Sequence, residues 1–253
     1  MVHKAATQGF SKAAATYQTG RPTYPKAALD WVQNTLGIAA HHIVLEMGAG
    51  TGKFTQCLAA TNAHIIAADA VPEMLGELTK ALPQTETLAC TAEDIPLDDS
   101  SVDFVVCAQA FHWFATDKAV AEMRRILKPG GKLALIWNSR DQSCEWVEAL
   151  SQIMRPYGGD APRHDSGDWK KCFPAPGFTP LETASFPHSQ TGPIEEVVVN
   201  RVLSTSFIAA LNEADQAAVK AQVNALINRT PDLKDKAAVT FPYVTAAHHC
   251  VRL

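Results

Sequence analysis

Residues 44–54, which read Val44-Leu45-Glu46-Met47-Gly48-Ala49-Gly50-Thr51-Gly52-Lys53-Phe54, decide the fold. An apolar strand ends at Glu46, a turn with three glycines follows, and the pattern then continues as a helix. Glycines in such a turn permit positive φ and let the backbone approach a ligand closely. The N–H groups at the start of the next helix add hydrogen-bond donors. The stretch therefore predicts a ligand-binding loop at the end of the first strand of an α/β sheet.

The spacing of these glycines argues against a dinucleotide. Dinucleotide-binding folds carry GxGxxG, and here Lys53 occupies the position of the last glycine. The carboxylate of Glu46 beside the loop would disfavour a pyrophosphate. A ligand with an ammonium and a sulfonium group and no phosphate would tolerate it. The loop therefore suits S-adenosylmethionine better than NAD, and an NAD-dependent oxidoreductase is the rival interpretation.

Asp69 ends the second apolar run, 63–69. At that position an acidic side chain can accept hydrogen bonds from both hydroxyls of a ribose. The alternative is that Asp69 only caps the helix that begins near Pro72. Behind a glycine loop of this kind, ribose binding is the favoured interpretation.

Apolar runs alternate with amphipathic stretches along the first half of the chain, which is typical of a parallel sheet with helices on both faces. We expect one domain over residues 1–253, with a small helical cap formed by the insertions 142–177 and 190–230. The expected strands are 43–45, 63–69, 86–90, 102–108, 132–137, 178–186 and 239–252. The expected helices are 24–36, 52–60, 72–82, 117–127, 144–156, 194–203 and 212–228.

Composition narrows the class of protein. The net charge of −4 offers no basic excess for nucleic acid, no apolar run is long enough to cross a bilayer, and residues 1–18 lack the apolar stretch of a secretion signal. The six cysteines form no CxxC pair and predict reduced thiols. Adjacent histidines such as His41-His42 and His248-His249 point to opposite faces of a strand, so we expect no metal. We expect a cytoplasmic monomer or homodimer.

The chain resembles the class I S-adenosylmethionine-dependent methyltransferases, and within them the small-molecule branch called methyltransferase type 11. The resemblance covers roughly residues 8–140. It is carried by the loop Glu46–Gly52, by Asp69, by the segment Cys90–Pro96 and by Leu127-Lys128-Pro129-Gly130-Gly131, a turn before the fifth strand. It implies a Rossmann-like sheet of seven strands whose last strand is antiparallel. It also implies S-adenosyl-L-methionine as cofactor and S-adenosyl-L-homocysteine as product.

The resemblance also implies which residues contact the cofactor. Ala92 and Glu93 correspond to a pair that contacts the adenine, although Thr91 stands where many relatives carry Asp. Gln109 and Ala110 are expected beside the methionine part, and Tyr17 on a segment that folds over the cofactor. The full expected set is Tyr17, Glu46, Gly48, Ala49, Gly50, Gly52, Asp69, Ala70, Ala92, Glu93, Gln109, Ala110 and Trp113.

Candidate residues for the chemistry follow the fourth and fifth strands. His112 is the candidate catalytic residue because a histidine can act as a base near neutral pH; the alternative is that it only holds its loop. Asn138, after the fifth strand, and Arg201, in the predicted cap helix, are candidates for binding a small-molecule acceptor, with a solvated surface position as the alternative for Arg201. The resemblance adds Arg21, on the N-terminal segment that is expected to fold over the cofactor. The expected acceptor carries a carboxylate, hydroxyl or thiol. The alternative function is that of a protein with the same S-adenosylmethionine-binding fold whose pocket serves a reaction other than methylation or senses a ligand.

Overall fold

The computed structural model describes residues 21–253 of the chain. These residues form two compact units. The larger unit comprises Tyr24–Asn138, Pro162–Phe186 and Thr245–Leu253, and the smaller unit comprises Ser139–Ala161 and Pro187–Val244 together with the described residues up to Thr23. That the whole chain acts as one domain with a cap remains a prediction.

Strands and helices alternate in chain order. The strands are β1 (Ile43–Met47), β2 (His64–Asp69), β3 (Glu86–Ala89), β4 (Val102–Ala108), β5 (Leu127–Arg140), β6 (Glu182–Pro193) and β7 (Ala238–Val251). The α-helices are α1 (Lys26–Asp30), α2 (Thr55–Ala59), α3 (Pro72–Ala81), α4 (Asp117–Ile126), α5 (Glu145–Met154), α6 (Arg201–Leu203), α7 (Ser206–Ala209) and α8 (Glu213–Arg229). Wider π-helical turns, Trp31–Leu36 and Glu195–Asn200, continue α1 and precede α6. Single 3₁₀ turns cover Phe111–Trp113, Arg155–Tyr157 and Asp168–Cys172.

The seven strands form a single mixed sheet in the order β3-β2-β1-β4-β5-β7-β6. The pairs from β3 to β5 are parallel. The amide of Gly130 donates to the carbonyl of Arg252, and the amide of Asp141 donates to the carbonyl of Pro242. Residue numbers therefore rise along β5 as they fall along β7, so β7 is antiparallel. This confirms the expected Rossmann-like sheet of seven strands with the last strand antiparallel.

Two apolar layers cover the sheet of the larger unit. Side chains alternate between faces along a strand, and Val105 and Cys107 of β4 belong to one buried cluster whereas Phe104 and Val106 belong to the other. The first cluster includes α4, and the second includes α1 with its π-helical turn. Helices therefore pack on both faces, as expected.

The smaller unit has its own apolar core. Side chains from α5, α8 and β7 form it, among them Trp146, Leu150, Val223 and Phe241. The rings of Trp146 and Phe241 meet edge to face at 5.0 Å. No helix among residues 21–253 is long and apolar enough to cross a membrane.

Two strands differ from the expectation. β5 begins directly after α4, and residues 128–131, predicted as a turn, lie within it as a bulge between the pairs Val102↔Leu127 and Phe104↔Lys132. The prediction placed the sixth strand at 178–186, whereas β6 spans Glu182–Pro193 and runs past Pro187. A proline is tolerated there because β6 is the edge strand of the sheet.

Candidate cofactor site and catalytic residues

The glycine loop connects β1 to α2 and depends on positive φ angles. Gly48, Gly50 and Gly52 have φ of 78°, 57° and 85°, a region that favours glycine. The amides of Gly48 and Ala49 donate to the carbonyl of Ala68 in β2, at 2.8 and 3.0 Å. The loop is thereby anchored to the neighbouring strand at its carboxyl end.

Two of these glycines also have no space for a side chain. A Cβ on Gly48 would collide with the Cβ of Ala110, which follows β4. A Cβ on Gly52 would lie 2.9 Å from Cγ of Leu78 in α3. The backbone of the loop therefore lies directly against the end of β4 on one side and against α3 on the other.

Asp69, the last residue of β2, holds the middle of the loop. Its Oδ2 accepts a hydrogen bond from the amide of Gly50 at 2.9 Å, and its Oδ1 accepts one from Val71 at 2.9 Å. Burial raises the pKa of this carboxyl, while the bonds from Val71, Gly50 and Ala70 oppose the rise. A carboxylate offers about four acceptor positions. Asp69 can therefore organise the turn before α3 and still accept hydrogen bonds from a ribose.

Glu46 is buried at the end of β1, with 1% of its surface exposed. Its Oε2 accepts a hydrogen bond from the hydroxyl of Thr55 in α2 at 2.6 Å. Burial raises the pKa of Glu46 to about 8; the bond from Thr55 opposes the rise and the charge of Asp69 adds to it. Burial therefore favours the neutral form of this carboxyl, and the contact of Glu46 with a cofactor remains a prediction.

Thr51 is the polar group of the loop that most clearly indicates a ligand. It is 4% exposed, and its hydroxyl has no hydrogen-bond partner in the described part of the chain. Buried hydroxyls in proteins nearly always have a partner. A polar ligand held by the loop would supply one. Thr51, the loop backbone and the carboxylate of Asp69 together fit S-adenosylmethionine, which carries a ribose and an amino acid group and no phosphate.

Residues expected near the adenine and methionine parts lie after β3 and β4. Ala92 is buried, and Oε1 of Glu93 accepts a hydrogen bond from the hydroxyl of Thr116 at 2.8 Å. Gln109 has a positive φ of 58°, a conformation that is strained for a residue other than glycine. Its Nε2 donates to the carbonyl of Asn138 at 3.0 Å. The structure places Ala110 against the loop; the contacts of Ala92, Glu93, Gln109 and Trp113 with a cofactor remain predictions.

A contact with Trp137 in β5 determines the protonation of His112. The indole Nε1–H of Trp137 donates to Nδ1 of His112 at 3.1 Å. An indole nitrogen only donates, so Nδ1 must be unprotonated and the neutral ring carries its proton on Nε2. His112 can then donate from Nε2 but cannot accept a proton there. This contact therefore makes Nε2 a donor in the neutral ring, and the catalytic role predicted for His112 remains a prediction.

The predicted acceptor-binding residues fall in both units. In the larger unit, Asn138 is 6% exposed and its Oδ1 accepts a hydrogen bond from the hydroxyl of Thr245 at 2.6 Å. In the smaller unit, Nη2 of Arg21 donates to the carbonyl of Ser204 at 3.0 Å. Arg201 is 6% exposed, so the solvated alternative for this arginine is wrong. Tyr17 lies outside the described residues.

Cysteines and potential metal ligands do not form a second site in the part of the chain that is described. All six cysteines are free thiols. Burial raises the pKa of Cys57 and of Cys90 to about 11, so these thiols are weak nucleophiles at neutral pH. Among residues 21–253, no group of three or more His, Cys, Asp or Glu side chains could hold a metal ion.

Comparison with known proteins adds a family to this geometry. Residues 45–135 match the family model described as a methyltransferase domain. An uncharacterized methyltransferase-like protein of Schizosaccharomyces pombe is 41% identical over 241 residues, which cover 94% of this chain and 93% of the relative.

Two solved structures show the same fold. A putative type II methyltransferase from Anaeromyxobacter dehalogenans has a TM-score of 0.63 at 24% identity, covering 92% of this chain and 96% of that one. A phosphoethanolamine N-methyltransferase of Haemonchus contortus, solved with phosphomonomethylethanolamine and S-adenosylhomocysteine, has a TM-score of 0.54 at 16% identity. The match covers 98% of this chain and 57% of that one.

Proposed function

This chain belongs to the class I S-adenosylmethionine-dependent methyltransferases of the type 11 family, and from that premise we propose that its acceptor is a small molecule. The methyl group passes by in-line displacement to an oxygen atom of a carboxylate or hydroxyl group of that acceptor, or to the sulfur atom of a thiol group. S-adenosylmethionine supplies a methyl group already activated on a sulfonium, so the residues of the chain mainly orient the reactants and exclude water.

One hydrogen bond supports the assignment of the cofactor to particular residues. It is the bond that the amide of Gly50 donates to Asp69. It connects the loop after β1 to the acid that ends β2, the two features that bind a nucleoside in folds of this kind. The buried hydroxyl of Thr51 lies in the same loop. We assign the ribose to Asp69 and the amino acid part to the loop.

The protonation of His112 bears on the acceptor. The hydrogen bond from Trp137 to Nδ1 places the proton of the neutral ring on Nε2. We assign His112 the role of orienting an oxygen of the acceptor by donating to it. An acceptor group that is ionised at neutral pH needs no base, and a carboxylate satisfies that condition.

A small acceptor is supported by charge and by the placement of the insertions. The net charge of −4 disfavours nucleic acid as the substrate. Residues 142–161 and 190–230 of the predicted cap fall in the smaller unit, which has its own buried core. We propose that these segments select the acceptor.

Methyl-labelled S-adenosylmethionine tests this proposal. The purified chain is incubated with sets of carboxylic acids, phenols and thiols, and separately with bulk transfer RNA and bulk protein. We expect label in one small-molecule set together with an equal amount of S-adenosylhomocysteine, and loss of both in Asp69→Ala. Label in RNA or protein, with none in the small molecules, would contradict a small acceptor. Retention of configuration at a chiral methyl group would contradict in-line displacement.

A further inference from the structure

Arg125, near the end of α4, contacts the segment of the larger unit that follows β3. Its Nη1 donates to the carbonyl of Leu97 at 2.8 Å, and its Nη2 donates to the carbonyl of Ile95 at 2.9 Å. Nη1 also donates to Oδ1 of Asp99 at 2.7 Å. One side chain of α4 therefore holds two backbone carbonyls of this segment.

Glu122, three residues earlier in α4, completes the contact. Its Oε2 accepts a hydrogen bond from Nε of Arg125 at 2.9 Å, and its Oε1 accepts one from Nη2 at 2.8 Å. The same Oε1 accepts a hydrogen bond from the amide of Ile95 at 3.0 Å. The bond from Arg125 lowers the pKa of Glu122; burial opposes this effect and the bond from Ile95 adds to it. Because these contacts use all five N–H donors of the guanidinium, its plane is fixed.

The first turn of α4 contacts the same segment. The hydroxyl of Thr116 accepts a hydrogen bond from the amide of Ala119 at 3.1 Å, which caps the helix, and donates to Oε1 of Glu93 at 2.8 Å. A helix of ten residues spans about 15 Å. Side chains at both ends of α4 therefore hold residues 93–97.

Residues 91–97 lie where the adenine of the cofactor is expected from the assignment of its ribose. They follow β3, and the amide of Cys90 donates to the carbonyl of Asp69 at 3.2 Å. β3 lies on one side of β2, and β1 with the glycine loop lies on the other. In S-adenosylmethionine the ribose stands between the adenine and the amino acid part. With the amino acid part at the glycine loop, the adenine extends toward residues 91–97.

Apolar packing alone holds residues 91–97 weakly. Ala92 and Ile95 are buried, whereas Thr91 and Asp94 are exposed. Segments with few buried apolar contacts open locally at a low cost in free energy. The position of this segment therefore depends strongly on the hydrogen bonds from α4.

We propose that Glu122 and Arg125 are positioning residues of the cofactor site, which hold residues 91–97 beside the adenine and thereby make the site selective for this base. The inference rests on the proposed function, because it takes the ribose to lie at Asp69. Adenine differs from hypoxanthine by an exocyclic amino group, which donates hydrogen bonds. Such a bond weakens steeply when its acceptor is displaced, so a displaced segment loses the distinction between the two bases.

Calorimetric titration with two ligands tests the proposal. S-adenosylhomocysteine carries adenine, and S-inosylhomocysteine carries hypoxanthine; the weaker ligand is measured by displacement of the stronger one. We expect the wild type to prefer S-adenosylhomocysteine at least about 10-fold. In Arg125→Gln and in Glu122→Gln, S-adenosylhomocysteine should bind at least about 10-fold more weakly, and the preference should fall at least about fivefold.

Arg124→Gln is the matched control, because Arg124 is an exposed residue of the same helix and the substitution changes the net charge equally. It should bind both ligands as the wild type does. Arg125→Lys keeps the charge but cannot supply five N–H donors in one plane. It should therefore lose the preference as Arg125→Gln does.

Hydrogen–deuterium exchange measures the position of the segment without any ligand. In Arg125→Gln the amides of residues 93–97 should exchange at least about 10-fold faster than in the wild type, because local opening becomes easier. The amides of residues 48–52 in the glycine loop should exchange as in the wild type.

Unchanged affinity for S-adenosylhomocysteine in Arg125→Gln and Glu122→Gln would overturn the proposal, whatever the exchange shows. Equal losses of affinity for both ligands would also overturn it, because a general loss of folded structure gives that result and a displaced base segment does not. No binding of S-adenosylhomocysteine to the wild type would instead contradict the proposed function itself. Binding that is equal in the wild type and the variants contradicts the positioning role alone.

Discussion

At the scale of single residues, Trp137 determines what His112 can do. The histidine is visible in the sequence beside two aromatic residues, and its position after β4 is predictable from the strand pattern. Its protonation is not, because the group that sets it lies in β5 and donates at 3.1 Å. The protonation of Glu46 is likewise not predictable from the sequence pattern, because its hydrogen-bond partner Thr55 lies in a different element. Contacts of this kind join residues that have no sequence pattern in common.

Nitrogen-15 NMR of the His112 ring measures this protonation directly. We predict that, at pH 8, Nδ1 has the chemical shift of an unprotonated nitrogen and Nε2 that of an N–H. In Trp137→Phe the donor is absent, so the two tautomers should mix and the two shifts should approach each other. Phe111→Leu, a change at a neighbouring aromatic residue without a donor, is the control and should leave the shifts as in the wild type. A protonated Nδ1 in the wild type would restore the base role.

At the scale of elements, the glycine loop shows why one glycine cannot replace another. Gly48 and Gly37 have similar φ, 78° and 83°. A Cβ on Gly37 meets nothing within 4 Å, whereas a Cβ on Gly48 collides with Ala110. A comparison of substitutions at Gly37 and Gly48 therefore distinguishes two effects. One is the backbone strain of a positive φ, and the other is the steric clash between the loop and the residue after β4.

Alanine substitutions at these two glycines make this comparison measurable. Gly37→Ala should lower the free energy of unfolding by about 1–3 kcal/mol, the strain of a left-handed residue, and leave S-adenosylhomocysteine affinity unchanged. Gly48→Ala should cost more stability and weaken the cofactor at least about 10-fold, because the loop must move away from Ala110. Urea unfolding and calorimetry report the two quantities. Equal effects of both substitutions would show that the loop tolerates displacement from β4.

The elements themselves were largely predictable. The prediction for β4 agrees with the structure at both ends, and β1, β2 and β3 agree within two residues. For β1, β2 and β4 the reason is that buried parallel strands are apolar runs bounded by turns. The predicted range of β6 differs from the observed range, because an edge strand that contains a proline is not a continuous apolar run.

At the scale of the whole molecule, buried titratable groups give stability a pH dependence with two opposite slopes. The pKa of Glu46 is raised to about 8 in the folded chain. Between about pH 4.5 and 8 the folded state then holds a proton that the unfolded state releases. The free energy of unfolding therefore falls as pH rises through this window, by up to about 1.4 kcal/mol per pH unit.

Glu46→Gln should remove this slope. Urea unfolding between pH 6 and 9 should show the wild type losing stability with rising pH and the variant remaining nearly level. Glu73→Gln, an exposed position in α3, is the control and should keep the wild-type slope. Parallel curves for wild type and Glu46→Gln would show that the carboxyl is ionised when folded.

Two histidines of the larger unit produce the opposite slope in acid. Burial lowers the pKa of His164 and of His248 to about 4, and Lys170 adds to both shifts. The unfolded chain binds protons from about pH 6.5 downward that the folded chain does not, so stability falls as pH drops from about 6.5 to 4. In the same unfolding series, the double variant His164→Gln and His248→Gln should lose less stability between about pH 6.5 and 4 than the wild type. The control variant His41→Gln, at an exposed position, should not differ from the wild type in this way. An unchanged acid limb would mean that the rings titrate normally.

Calorimetric titration with S-adenosylhomocysteine tests the central claim, that the loop after β1 and Asp69 form the cofactor site. We predict micromolar binding to the wild type, at least about 30-fold weaker binding to Asp69→Asn, and unchanged binding to Asp98→Asn, an exposed acid elsewhere in the larger unit. Equal affinity in Asp69→Asn and the wild type, or no binding to the wild type, would contradict the account.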